Sequence, residues 1–451
     1  MSRDSIDLGT MNILSLFRKM FIPTLLGMLF TATITIADGI FVGHGVGSDG
    51  LAAVNIAAPL FMITTGIGLL FGIGASIVAA IHLSQKNIKA ARINITQALI
   101  VSSIIMLLIS TLVLCFDKEV TYLFGSSDKL LPLALSYIDW LAPSLIFSMM
   151  ISLGLFIIRL DGSPVFAMLC NSIPAILNII LCYLFVIKLE WGIKGSAIAC
   201  GIATAIGGIM VMIYMVWFSK TLHFYKLKIS RKSIILTIRN IGYMIKLGSS
   251  ALLGELAVAS MMIVGNYVFM GALGEDGVAA FSVACYCFPL VFMINNAIAQ
   301  SAQPIISYNY GAGDSQRVKK TLQLSVGVAL IAGSAATLIS TVFCKPLIGL
   351  FLNSSCNAYN IAINGIPYFA SGFIFFAFNI VIIGYYQSIE KAKRATIYML
   401  LRGFIFMILC FLTLPLLFGE KGIWLSVPCS EMLASIIIIS LFLYDKSKKS
   451  K

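Results

Sequence analysis

The stretch GSDGLAAVNIA at residues 47–57 returns as GEDGVAAFSVA at residues 274–284, with six of eleven positions identical. The same shift of 227 residues, with no gap, lays LFGSS (123–127) on LFLNS (350–354), where three residues match, and GIKG (192–195) on GEKG (419–422). Agreement in one register over about 150 residues means that the chain writes one structural unit twice.

What that unit is follows from composition. Of 451 residues, 59% are hydrophobic and only 11% charged, whereas a soluble domain carries about 25% charged residues. Apolar runs of about twenty residues, enough to cross a hydrocarbon core of about 30 Å, recur along the whole length. They predict twelve spans, near 14–41, 52–80, 94–116, 131–159, 167–188, 194–218, 243–270, 279–308, 321–345, 361–388, 394–417 and 422–444. The expected fold is therefore an all-α integral membrane protein with twelve transmembrane helices in two parallel six-helix repeats. An N-terminal lobe covers 1–218, a linker 219–242 and a C-terminal lobe 243–451. A six-span unit ends on the side where it began, so the second copy enters the membrane in the same orientation. Parallel repeats of this kind are a transporter architecture, with the site near the midplane.

The net charge of +13 is a matter of topology. With loops assigned alternately, 24 of the 31 Lys and Arg fall on the side of the N-terminus, including seven between Lys220 and Lys246, and six on the other. This positive-inside bias puts both termini and the linker in the cytoplasm and argues against nucleic acid as a partner. The ten cysteines are scattered through apolar runs, apart from Cys285 and Cys287, and His44, His82 and His223 are far apart. Neither set has metal-ligand or disulfide spacing, so no metal and no cofactor is expected.

Charges inside the spans are few: Asp38, Glu255, Arg402 and Glu431, with Arg159 and Asp161 at a loop boundary. An Asp at the bilayer centre costs about 2.5–3.5 kcal/mol on insertion scales, so an acid that is kept there points to an ion path or a cavity, while Asp38 taken alone also fits the wet outer end of its span. The repeat sharpens this point. Gly265 stands at the position matching Asp38 and Met28 at the one matching Glu255, so each acid belongs to its own lobe. Arg402 and Glu431 fit a structural ion pair as well as a transport role. Pro23, fifteen residues before Asp38, has no amide hydrogen and fits either a hinge or a tolerated membrane proline. In the eighth span Asn295, Asn296, Gln300 and Gln303, together with Glu255, are candidates for a wet substrate cavity. The aromatic tenth-span segment YFASGFIFFAFN (368–379), continued by Tyr385 and Tyr386, fits either cation–π contact with organic cations or lipid-facing rings.

Together, the spacing of Pro23 and Asp38, FVGHGVGSDGLAAV, IIRLDGSP, GIKGSAIA, GEDGVAAF and QPIISYNYGAGD (303–314) resemble the multidrug and toxic compound extrusion family over nearly the whole chain. The resemblance implies a non-enzymatic exporter of organic cations and amphipathic drugs, driven by H⁺ or Na⁺ antiport through alternating access. The expected setting is a bacterial plasma membrane, and the expected form a monomer. It further implies that Asp38 is the coupling acid, that Pro23 bends with its state, and that Tyr137 and Asn178 stand near it. Glu255 resembles a seventh-helix acid of members that bind their cation in the second lobe. Two departures bear on the ion: Cys182 replaces an acid and Cys200 a threonine. Na⁺ is a hard cation that wants oxygen ligands, so proton coupling is the preferred expectation. The nearest rival is a lipid-linked oligosaccharide flippase of the same superfamily, which should show a cationic cavity. A membrane enzyme would need clustered His, paired acids or a nucleophile with its base.

Overall fold

In the computed structural model every regular element among the described residues is helical. The structure describes residues 6–46, 48–124, 126, 128, 130–227, 230–349 and 357–449. The side chains of 33–40, 43–44, 48–49, 51–52, 55, 275, 286–287 and 443–449 lie outside the description, as does the LFLNS copy of the repeat at 350–354. Eleven helices are long and apolar enough to cross a membrane, or twelve when the bent pair Asn357–Ala370 and Phe373–Ser388 counts as one span. These match the twelve predicted runs in order.

The first span is the helix Ile13–Gly45, started by Asn12, whose side-chain oxygen accepts from the amides of Leu14 and Ser15. That cap satisfies two of the amides a helix start leaves unpaired. Spans two and three are Ser48–Ser84 and Ile88–Cys115. Span four runs from Leu131 to Leu160, span five from Pro164 to Lys188 and span six from Gly192 to Phe218. The seventh, Arg231–Gly274, and eighth, Asp276–Gly311, meet at Gly274, whose φ of 66° breaks the helix. The ninth, eleventh and twelfth are Ser315–Val342, Ala392–Phe418 and Glu420–Phe442.

The duplication extends to details of backbone chemistry. The fourth span is interrupted by one 3₁₀ turn, Ala142–Ser144, and the tenth breaks at Ser371 and Gly372 with a bend of 42°. Ser144 and Ser371 are equivalent, and each returns its hydroxyl to the carbonyl three residues back, Leu141 at 2.7 Å and Tyr368 at 2.6 Å. The preceding span supplies another donor to each break: the hydroxyl of Ser110 bonds the carbonyl of Ala142, and that of Thr337, its equivalent, bonds the carbonyl of Ala370. Carbonyls freed by a broken helix in a membrane need partners from within the protein, and both copies of the unit meet that need in the same way. The left-handed turns repeat as well, at Lys86 and Gly313 and at Gly192 and Gly419.

Two compact units divide the chain, one comprising 1–252 with 307–315, the other 253–306 with 316–451. Within the first, spans two and seven approach backbone to backbone. A methyl group at Gly248 would lie 1.9 Å from the carbonyl oxygen of Leu70. Only glycine permits so close an approach, and small residues at helix contacts are how membrane helices gain packing where hydrophobic driving force is absent.

Candidate functional site

The first unit brings together the four elements that carry the predicted coupling residues. Span one packs along span five, span five along span six, and the first half of span four against span six. Gly27 lies against Met168 and Asn171, and Gly45 against Val186, so the two helices run side by side in parallel. This register sets the backbone of residue 38 level with the Asn178–Cys182 turn of span five. The side chain of Asp38 itself lies outside the described residues, as do those of His44 and Cys287. Asn178 and Cys182 are buried one turn apart, with the thiol 3.7 Å from the amide oxygen. Tyr137 on span four is buried, and so is Cys200 on span six. All four are buried in the interior of the first unit.

Below this level Pro23 interrupts the hydrogen bonding of span one without ending the helix. The next residue, Thr24, donates its hydroxyl to the carbonyl of Met20 and accepts from Nη1 of Arg159 at 3.3 Å. The Arg159 guanidinium also lies over the Phe156 ring, 4.6 Å from its centroid. A buried cation from the end of span four therefore reaches the weakest turn of span one.

Asp161, two residues on, has a role that its motif did not reveal. Its carboxylate accepts from the Tyr214 hydroxyl, the Ser219 hydroxyl, the amides of Lys220, Thr221 and Leu222, and the Thr221 hydroxyl, at 2.6–3.2 Å. It thus clasps the exit of span six and the start of the linker. An acid followed by Gly-Ser-Pro signals a turn, but nothing local in sequence points to acceptors' partners more than fifty residues away.

In the second unit the position equivalent to Asp38 is filled. A methyl at Gly265 would lie 2.4 Å from the Phe281 ring, which stacks on Phe269 with centroids 4.5 Å apart. Trp424 packs edge-on against Phe269, and Phe369 meets Phe281 and Phe288. The line of rings continues through Phe376 to the Arg402 guanidinium, 4.7 Å from that centroid. Phe369, Phe373 and Phe376 of the aromatic tenth-span segment are buried in this packing rather than facing lipid.

Arg402 and Glu431 form an ion pair, with Nη2 and Oε1 at 2.6 Å, both residues about 5% exposed. Nε of Arg402 shares both carboxylate oxygens at 3.0 Å, and Asn379 donates to Oε2 at 2.7 Å. Ser435 in turn bonds the Asn379 side-chain oxygen at 2.8 Å. Both carboxylate oxygens have partners, and the pair lies in a buried network that joins spans ten, eleven and twelve. Arg402 occupies a π-helical turn, Leu401–Ile405, a feature that shifts side-chain phase by a residue.

Glu255 differs. It is half-buried on span seven, where Gly254 lies against Met399 and Ala257 against Gly403, and it has no hydrogen bond or ion pair with a described residue. On span eight Asn295 and Asn296 return their amide nitrogens to the carbonyls of Val291 and Phe292. The Asn295 side-chain oxygen is buried without a partner among the described residues. Gln300 and Gln303 are buried. No cluster of three or more His, Cys, Asp or Glu suited to a metal occurs among the described residues.

Residues 23–184 and 250–412 match the family model described as MatE. Two relatives are each named multidrug export protein MepA. That of Staphylococcus saprophyticus is 21% identical over 454 residues, covering 95% of this chain and 94% of its own length. That of Staphylococcus aureus is 23% identical over 441 residues, covering 94% and 93%. Among solved structures, a MOP superfamily transporter from Pyrococcus furiosus superposes with a TM-score of 0.88 at 21% identity, over 98% of this chain and 97% of its own.

Proposed function

Because this chain belongs to the MatE family, we propose that it is a secondary active multidrug efflux transporter that exports organic cations and amphipathic drugs in exchange for an inward-moving cation, protons in preference to Na⁺. The multidrug export proteins it resembles support the substrate class. One observation carries the coupling: the turn of span five level with Asp38 holds the buried Asn178 and Cys182, whereas the equivalent place in the second unit is packed solid by Phe281 over Gly265. Ion exchange therefore belongs to the first lobe. Asp38 takes up and releases the proton, with Asn178 and Tyr137 polar neighbours. Cys182 and Cys200 present sulfur where oxygen would be needed to hold Na⁺. Proton binding at Asp38 removes its charge, and the span bends at Pro23, where a backbone hydrogen bond is already missing. Thr24 and Arg159 steady that turn.

In the second lobe Glu255, half-buried and unpaired among the described residues, is the group that meets a cationic drug, and Asn295, Asn296, Gln300 and Gln303 on span eight supply polar contacts to the substrate. A carboxylate outside an ion pair attracts an organic cation where Glu431, already neutralised by Arg402, does not. The transporter works as a monomer in a bacterial plasma membrane with both termini cytoplasmic, in keeping with the 24-to-6 charge bias. The chemistry is movement, not reaction. Purified protein in liposomes should carry a fluorescent organic cation, chemically unchanged, against its gradient when a pH gradient is imposed. Chemical conversion of the dye, or no movement, would refute the reading.

A further inference from the structure

Two motifs of the sequence, IIRLDGSP (157–164) and QPIISYNYGAGD (303–314), lie in different repeats. Both meet a third segment, residues 6–12, which precedes span one. Gly162 of the first motif lies against Ile6, where a methyl group would stand 3.6 Å from the Ile6 carbonyl oxygen. In the second motif the buried Asn309 donates its side-chain amide to the carbonyl of Leu8 at 3.0 Å. The ring of Tyr308 covers Gly9, with Cε1 3.3 Å from where a β-carbon would be. The end of span eight and the turn after it, residues 307–315, accordingly belong to the same compact unit as residues 1–252, while the rest of that helix belongs to the other.

The segment is a folded strap. The Asp7 carboxylate accepts from the amides of Gly9 and Thr10 at 2.8 and 3.3 Å and from the Thr10 hydroxyl at 2.6 Å, which closes an Asx turn with Leu8 buried. Its receptor is closed as well. The Asp314 amide donates to the Asn309 carbonyl at 2.9 Å, and Gly311 sits against span two, where a methyl group would be 2.7 Å from the Ile81 Cα. The duplication shows that the six-span unit folds without such a strap. A shift of 227 residues lays 6–12 on 233–239, which in the second repeat is part of the helix Arg231–Gly274. In the first repeat the helix begins only at Ile13, after the Asn12 cap.

We propose that residues 6–12 are a latch that holds the end of span eight to the first repeat and releases it when the transporter opens toward the cytoplasm. On the alternating-access reading, on which this latch rests, span eight must part from the first repeat at its cytoplasmic end in each cycle. The strap runs directly into span one, which carries Pro23 and Asp38, so the hold on span eight and the proposed coupling helix are joined by the chain itself. Once the contact opens, water takes over the Leu8 carbonyl and the Asn309 amide. Release therefore costs only the net value of the bond, and weakening the latch shifts populations rather than abolishing a state.

The test uses the full-length protein with the exposed Cys115 changed to Ser. Dibromobimane bridges closely spaced thiols and fluoresces when it does. Gly9→Cys with Tyr308→Cys should be bridged, and bridging should stop dye efflux from liposomes, whereas either single variant treated in the same way should keep it. A bridged protein that transports as fast as before treatment overturns the latch; an untreated parent that moves no dye under any gradient refutes the proposed function instead. Hydrogen exchange reads the latch without transport. Asp7→Ala, which opens the turn, and Asn309→Ala should each speed exchange about fivefold at 307–314 and at the end of span two, 79–84, the factor expected of one net hydrogen bond. Adding the second change to the first should have little further effect, because both act on the same contact. Unchanged exchange in both variants, effects that multiply, or acceleration that spares 79–84 and so marks local fraying would each overturn the proposal.

Discussion

Phe281 occupies the space that any side chain at Gly265 would need, its ring atoms 2.4 Å from where a β-carbon would stand. The equivalent pair in the first repeat is Asp38 and Val54. At this pair the first repeat thus carries an acid with a valine, and the second a glycine covered by an aromatic stack. Gly265→Ala should destabilise the protein by about 1–3 kcal/mol through overpacking, read as a lower thermal midpoint in detergent. Adding Phe281→Val, the residue of the first repeat, should relieve the strain, so that the two changes are strongly non-additive. Simple additivity would mean that the ring is free to move aside.

The Arg402–Glu431 pair leads to a different expectation. Glu431→Ala or Arg402→Ala leaves a buried charge unpaired and should cost about 3–5 kcal/mol, whereas Arg402→Met with Glu431→Leu should recover most of it. Thermal unfolding of the three variants checks this. If either single variant is as stable as the parent, the pair is not what joins spans ten, eleven and twelve.

Asp161→Ala should free the linker. Three backbone amides, those of Lys220, Thr221 and Leu222, lose an acceptor that carries charge. Bonds of that kind contribute about 1.5–3 kcal/mol each, so hydrogen exchange at 219–225 should accelerate at least about tenfold while the core of span four keeps its protection. Unchanged exchange would show that the linker is held instead by Arg92, which bonds the Thr221 carbonyl, and Thr96, which accepts from the Tyr225 amide.

The spans and their duplication were legible because hydrophobicity in a membrane protein is a local, additive signal, and the 227-residue register then carried each residue of one lobe onto the other. That register located Gly265 opposite Asp38, but not Phe281 above it, since packing against a glycine depends on a residue sixteen positions away on another helix. Arg402 and Glu431 stood out as costly charges, yet their pairing was only one of two open readings, because 29 residues and a π turn separate them. The breaks in spans four and ten were hidden for another reason. Pro143 and Gly372 are common enough in membrane helices to be uninformative, and what makes these sites breaks is the hydroxyl of Ser110 or Thr337 arriving from a neighbouring span.

The choice of ion can be reversed on paper and therefore at the bench. Cys182→Asp on span five with Cys200→Thr on span six restores two oxygen-bearing side chains to the helices that carry the proposed site, and transport should then respond to Na⁺. Two acids in one dry site repel, so without a cation one of them is pushed toward protonation, and the response should be confined mainly to higher pH. Dye efflux from liposomes at fixed pH with and without Na⁺ measures it. A double variant as indifferent to Na⁺ as the parent would place the coupling ion elsewhere.

The most direct measurement compares the parent protein with Asp38→Asn and Glu255→Gln in proteoliposomes loaded with a fluorescent organic cation, under an imposed pH gradient, with and without Na⁺. The parent should follow the pH gradient and be nearly indifferent to Na⁺, Asp38→Asn should be folded but unable to couple, and Glu255→Gln should lose transport of the cationic dye. A parent that requires Na⁺, with that requirement lost in Glu255→Gln and kept in Asp38→Asn, would contradict the account and move coupling to the second lobe.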